Sequence, residues 1–542
     1  MTTNETKKRR RNSVVLQGSI LALAAVVVRL IGLIYRIPLT NTLTDEGAGL
    51  YGTAFTVYMM FLMVSSYGLP AAISKLVAAK LAVGKAREAH AIFKASLWFG
   101  LVSGTVFSII LWVFAGDFAN LIKSPASTEA IMALAPAVFV FSILAVFRGY
   151  FQGMNSMVPT AISQIFEQIL NATFSLILGS ILVKESFAKG AAGGTMGTGI
   201  GAFAALIFMV FVYSITRNRI IYKRIKKDTH EFKPLSMLHY WHVLIRTAFP
   251  IIVGTAVLQL TGLIDLMMVQ SSLQHNGLTE TIANEYYGVY AMKVKVLIRL
   301  PITIASALGA ASVPSITESL VQKNYDDIKE KIRMAVKTTL VVVIPSAIGL
   351  TVMAKPIIEM LFDQQNLDIG AKALQWGTVA IVLFSISTLT IGILQGLDKL
   401  KTQAIICLIG MGAKVVLNWL FLYVFNWQLN GVVMSDNIFA LLLVSMNMYV
   451  INKVIHTRVN IITDMIKPII ASVVMGLITY IIYILLKVLV GTNDIPTLLA
   501  ILFGGITYII VIIKIKTLSE YEIMQFPKGA SMVRLFKQFN LL

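Results

Sequence analysis

The chain has 542 residues but one cysteine and six histidines, and only 13% of it is charged. Cys407 alone excludes an internal disulfide. His239 and His242 form the closest histidine pair and bring no third ligand, so no metal site is expected. No Gly-x-x-x-x-Gly-Lys-Ser/Thr run is present, which excludes that type of built-in nucleotide motor. Acidic residues are also scarce, 26 against 46 Lys and Arg, for a formal charge of +20. A polymerase or ligase on the outer face would need an essential carboxylate or histidine there, and Asp265 is the one plausible residue. The composition therefore points away from an enzyme.

Hydrophobic residues make up 57% of the chain. They recur in runs of roughly 20 residues, long enough to cross about 30 Å of hydrocarbon. Fourteen runs are read between residues 14 and 515, beginning with 14–37 and 50–72. The expected fold class is an all-α membrane protein of about 14 transmembrane helices. The first run holds Arg29 and Arg36 and is too long for a cleavable signal peptide.

The basic charge follows the membrane topology. With the N-terminus inside, the inner segments carry Lys7 to Arg11, the 73–94 and 217–241 loops and the C-terminal tail. That is the positive-inside pattern, with both termini expected to be cytoplasmic. No aromatic-interleaved basic patch accompanies it, so no nucleic-acid partner is expected. Membrane lipids are.

Eight basic residues fall inside the apolar runs: Arg29, Arg36, Arg246, Lys293, Lys295, Arg299, Lys337 and Lys414. A cation at mid-bilayer costs about 2.5–3.5 kcal/mol, so it needs a partner or a wet cavity. Asp265 and Glu167 are the acids read as lying nearby, which leaves six cations unmatched and points to an anionic cargo. Arg246 and Lys337 lie near inner ends and are read as snorkelling. Arg29, Arg36, Lys293, Lys295, Arg299 and Lys414 are the candidate substrate-binding set. Asp265 is the candidate for a coupling ion, or else a partner for Arg36, Lys293 or Lys414. Glu167 shares a helical stripe with Gln164, Gln168 and Asn171, read as interhelical hydrogen bonding.

Prolines and glycines punctuate the spans. Pro38 is expected to end span 1 and Pro70 span 2, while Pro301 interrupts span 8 as a candidate hinge. Gly197, Gly199 and Gly201 read as helix packing. Gly149-Tyr150-Phe151-Gln152-Gly153-Met154-Asn155 recurs 243 residues later as Gly392-Ile393-Leu394-Gln395-Gly396-Leu397-Asp398. Tyr51-Gly52 is echoed by Tyr287-Gly288, and Gly32-Leu33-Ile34 by Gly262-Leu263-Ile264. The matches lie six spans apart and in order, so two six-helix lobes are expected, 1–235 and 236–460. Helices 13 and 14 with the tail occupy 461–542.

Several motifs carry a family resemblance. Arg29-Leu-Ile-Gly-Leu-Ile-Tyr-Arg36, Gly47-Ala48-Gly49-Leu50-Tyr51-Gly52, Tyr67-Gly68-Leu69-Pro70 and Phe147-Arg148-Gly149-Tyr150-Phe151-Gln152-Gly153 are its clearest signs. With Ile393-Leu394-Gln395-Gly396 they resemble the multidrug/oligosaccharidyl-lipid/polysaccharide exporter superfamily. Within it the chain is similar to the polysaccharide-transporter branch, including stage V sporulation protein B types and MurJ-like lipid II flippases.

The resemblance implies a V-shaped central cationic cavity and transport of an undecaprenyl-diphosphate-linked saccharide to the outer leaflet. It implies a diphosphate site at Arg29 and Arg36, with Lys293 close to a required span-8 arginine. Helices 13 and 14 would hold the lipid tail. No cofactor is implied; the driving force expected is the membrane potential or a cation gradient. A cell-wall synthesis complex is a candidate partner. The chain departs from MurJ-like proteins in span 2, which has no basic residue between Leu50 and Ser74. Thr53 stands near the place of an expected acid. Lipid II is therefore weighed against teichoic-acid, capsule and spore-cortex saccharides. A drug/cation antiporter would need acidic residues where these spans are basic.

Overall fold

An apolar chain inside a bilayer must satisfy its own backbone hydrogen bonds, and helices do so within one segment. The computed structural model describes residues 20–517, except 22, 233–234, 323, 363–364 and 457–460, together with 520, 524 and 529–538. Among these residues helix is the regular structure and no strand occurs. Lys7 to Arg11, and the start of the first apolar run, lie outside the described residues.

Eleven described helical stretches are long and apolar enough to cross a membrane. The first of them, Leu23–Ala82, spans 60 residues and holds two crossings. It begins with α1 (residues 23–34) and α2 (Arg36–Leu62). Thr44 breaks it, with φ 61°. Helix thus continues past Pro38, and the turn between spans 1 and 2 falls at Thr44 instead. Pro70 does not end span 2 either. It occupies the first turn of α3 (Leu69–Ala82), behind a π-helical turn at Met63–Tyr67. A proline ring clashes with the carbonyl four residues back, and the widened turn makes room for it. The helices Met237–His275 and Lys295–Val321 are also long, so the described residues are consistent with fourteen crossings.

Packing divides the chain into two compact units, residues 1–292 and 293–542. This is a different cut from the expected lobes 1–235 and 236–460. The first unit continues with α4 (Ala86–Val113), α5 (Ala115–Leu121), α6 (Thr128–Gly153), α7 (Val158–Leu182), α8 (Phe187–Thr216) and α9 (Tyr222–Lys226). It closes with α10 (Met237–His275) and α11 (Glu280–Gly288). Its buried core includes Ile73, Phe93, Leu144, Phe151 and Met209. Phe93 and Tyr150 stack with ring centroids 4.2 Å apart. Gly197 and Gly201 bring α8 close to α7, because a Cβ on either would meet the α7 backbone.

A π-helical turn at Val289–Val294 leads into the second unit. That unit holds α12 (Lys295–Val321), α13 (Tyr325–Val352), α14 (Ala354–Leu361), α15 (Leu367–Gly396), α16 (Leu400–Trp419) and α17 (Gln428–Ile455). The hairpin α18 (Ile461–Val490) and α19 (Asp494–Lys514) completes it, followed by a short helix at Gly529–Gln538. Ile332, Leu340, Ile393, Leu443 and Ile451 are among its fully buried core residues. α18 packs on α13, where Arg333 grips the Asp464 carboxylate with Nε at 3.1 Å and Nη2 at 2.9 Å.

The recurring motif takes one backbone form in both units. α6 and α15 each end at its second glycine, and Asn155 and Asp398 follow with φ 61° and 56°. Their amides return to the Gln152 and Gln395 carbonyls at 2.9 and 3.1 Å. Asn and Asp tolerate this left-handed geometry better than most residues, which accounts for their place in both copies.

Candidate functional site

Inside the first unit, α1, α2, α6 and α7 surround a cavity of about 510 Å3. Gln164, Glu167, Gln168 and Asn171 line it together. Their spacing of three and four residues puts them on one face of α7. Arg29 lines the cavity from α1.

Arg148 enters from α6. Its Nη2 donates to Glu167 Oε2 at 2.7 Å, and its Nε donates to Ser163 Oγ at 3.0 Å. The pair is largely buried, with side-chain exposures of 10% and 16%, so each charge depends on the other. Glu167 is thus part of an ion pair on the cavity wall, a closer involvement than interhelical packing. Arg148 is a further basic residue inside an apolar run, beyond the eight named from the sequence. Its place within span 4, beside Gly149, was the signal available.

Arg36 stands close by. Its guanidinium carbon lies 5.1 Å above the centre of the Phe55 ring, and Phe55 is itself a cavity residue. The face of an aromatic ring attracts a cation, so Arg36 keeps its charge inside the span. Its Nε is buried without a hydrogen-bond partner among the described residues. Arg29 and Arg36 therefore border the same cavity, one directly and one through Phe55.

The remaining sequence-selected residues have other settings. Asp265 is buried on α10, in the first unit. In the second unit Lys293 is 1% exposed and donates to the Gln365 carbonyl at 3.0 Å. It lies in the π-helical turn that precedes α12. Lys295 is half-buried and Arg299 exposed on α12, and both carry polar contacts. α12 runs helically through Pro301, so the departure from regular geometry in span 8 lies upstream, at Val289–Val294.

Lys414 is 0% exposed, and its ammonium lies 2.6 Å from Asp436 Oδ1 on α17. Asp436 is a third intramembrane acid. It lies well inside the apolar run 430–451, and counting it would have matched one of the six unpaired cations. Arg246 is exposed on α10 and Lys337 half-buried on α13.

Residues 15–320 match the polysaccharide biosynthesis protein family, and residues 294–420 match the MatE family. The chain belongs to the polysaccharide biosynthesis protein family. Its likeness to MurJ-like proteins of the exporter superfamily follows from both matches and from the relatives. Lipid II flippase MurJ of Bacillus subtilis (strain 168) is 27% identical over 75% of this chain and 77% of its own length. Stage V sporulation protein B of the same organism is 26% identical over 66% of this chain and 69% of its own. A solved structure, lipid II flippase MurJ in an inward closed conformation, superposes with a TM-score of 0.66 at 17% identity. It covers 91% of this chain and 97% of that one, and it bears out the all-helical transporter fold. The protein is a multi-pass membrane transporter of this family, not an enzyme.

Proposed function

We propose that the protein is a flippase for an undecaprenyl-diphosphate-linked saccharide, with lipid II as the first candidate, working by alternating access. One observation carries most weight: Arg29 lines a cavity inside a membrane-embedded unit, with Arg36 on the ring of another cavity residue. A permanent cation kept there at a cost calls for an anionic visitor, and a diphosphate is one. The names of the two relatives support the class of cargo.

In this reading Arg29 and Arg36 attract the diphosphate from the first unit. Lys295 and Arg299 on α12 are further candidate cations, described within the second unit. Lys293 and Lys414 are already engaged inside their unit, so they would set its internal charge. Moving about two negative charges outward against a negative interior gains roughly 4–5 kcal/mol per 100 mV. The cycle would draw on that potential, or on a cation gradient with Asp265 as the coupling residue. The basic loops support a cytoplasmic position for both termini.

Acute depletion in the host, followed by an outside-only enzyme acting on lipid II, tests the cargo. Loss of externally accessible lipid II is the expected result. A second reading, another lipid-linked wall, teichoic-acid, capsule or spore-cortex saccharide, is favoured by the missing basic residue in span 2. It predicts that lipid II stays accessible while a different prenyl-linked saccharide is trapped inside. Normal exposure of all such lipids would overturn both.

A further inference from the structure

We propose that the Lys414 ammonium is a tethered counter-ion, holding at Asp436 the place that a mobile monovalent cation would otherwise take. The second unit then has no cation to bind or release there as the protein cycles. This rests on the flippase reading above and bears on which of its two driving forces the protein uses.

The pair lies deep in the spanning helices. At 1.5 Å per residue Lys414 is about 15 Å from the nearer end of its crossing, Leu400–Val424, and Asp436 about 12 Å from the start of α17. A carboxylate at that depth needs a counter-charge, which can be a proton, a bound metal cation or a basic side chain. Lys414 Nζ, 2.6 Å from Asp436 Oδ1, supplies the last of these. Stability alone does not explain the choice, because apolar residues of similar volume often serve such a position equally well.

The neighbouring residues add oxygen. Gly410 packs against Phe439 and Leu443, and Gly431 against Phe421, so α16 and α17 run antiparallel and Asn418 stands near the level of Ser435. Asn418 follows Lys414 by one turn on the same face of α16. Asn418 and Ser435 are both 0% exposed, and the Ser435 hydroxyl has no hydrogen-bond partner among the described residues. A carboxylate, an amide carbonyl and a hydroxyl are the oxygen donors that a hard cation selects. The ammonium is a compact point charge of the same sign, but its four-carbon stem fixes it to α16. Lys414 is 0% exposed, whereas the Asp436 side chain keeps 16%, so an ion could approach the carboxylate once the lysine is gone.

A mobile cation couples a cycle to its gradient by binding one state better than the other and exchanging between them. A tethered one cannot leave. The charge of this pair therefore stays constant through the cycle, and this locus adds no ion gradient to the membrane potential acting on the cargo.

The test measures the thermal unfolding midpoint of purified full-length protein in lipid nanodiscs, at equal ionic strength with Na+, K+ or choline. The wild type should show no cation response that Asp436→Asn removes. Lys414→Ala should unfold earlier in choline, and Na+ or K+ should restore it with saturation. At ten times the dissociation constant the gain is about tenfold in the folding equilibrium. Adding Asp436→Asn to Lys414→Ala should abolish that gain. A wild-type response that Asp436→Asn removes overturns the proposal, since an ion would already reach the carboxylate. So does a Lys414→Ala protein that neither Na+ nor K+ restores, or one that folds in none of the three salts, because a mobile cation then cannot stand in for the ammonium. A gain that persists in the double variant overturns it too, by putting the ion elsewhere. None of these readouts uses the cargo, so a protein that passes them yet exposes no lipid-linked saccharide overturns the flippase reading alone.

Discussion

Lys414 Nζ lies 2.6 Å from Asp436 Oδ1, and the lysine is wholly buried between α16 and α17. Breaking a buried ion pair strands the other charge, at about 3–5 kcal/mol, whereas replacing both partners by apolar residues is often neutral. Lys414→Met and Asp436→Leu should each lower the thermal unfolding midpoint of the purified protein. The double variant should recover most of the loss. Additive losses would show that the two residues act separately.

Arg29→Ala should reduce flipping by about tenfold or more, the loss of one charged hydrogen bond to the cargo, and Arg36→Ala by less, since Arg36 reaches the cavity only through Phe55. Folding should survive, since Arg29 is exposed to the cavity. Reconstituted vesicles with an outside-only modifying enzyme would measure the rate. Full activity in both variants would remove these arginines from the site.

Gly49 and Gly288 let α2 and α11 cross without side chains between them. A Cβ on Gly288 would run into the Asp45 carbonyl, and one on Gly49 into that of Asn284. Overpacking of this kind costs about 1–3 kcal/mol. Gly288→Ala should therefore loosen the crossing, seen as faster hydrogen exchange in α11 and around residue 45. Unchanged exchange would mean that the backbones already have room.

Asp228, outside the spanning segments, accepts the Arg87 backbone N–H at 2.8 Å and contacts His230. The Arg87 amide, followed by His230, holds its carboxyl below the usual range. A carboxyl with a depressed folded pKa stabilises at pH above its unfolded value of about 3.9. That contribution disappears as pH falls through the folded value. Protection of the Arg87 amide from exchange should thus persist at pH 5 to 7 and fail only in stronger acid. Asp228→Asn should weaken it across pH 5 to 7 and make no difference in strong acid.

Much of this architecture was legible in composition alone. The recurring apolar runs anticipated an all-helical membrane fold, and the Gly-x-x-Gln-Gly-x-Asn/Asp repeat the common ends of α6 and α15. Other features left no mark in hydropathy. Pro38 suggested a helix end that Thr44 supplies, because a proline early in a helix needs no partner for its nitrogen. The π-helical turns at 63–67 and 289–294 leave the apolar pattern intact, so periodicity cannot find them. Glu167 drew notice as part of a polar stripe, yet its partner Arg148 stood where spans meet the inner loops and blended with the basic charge there. Asp436 was hidden by its apolar neighbours. The cavity itself needs three-dimensional packing of residues as distant as 29 and 198.

The sequence separation of two buried ion pairs among the described residues bears on how the chain enters the bilayer. Arg148 and Glu167 are 19 residues apart, and Lys414 and Asp436 are 22 apart. Each cation sits on the helix that leaves the ribosome immediately before the one bearing its anion. A basic helix handed to the lipid by itself therefore waits for only one successor, and the two can be released into the membrane as a neutral hairpin.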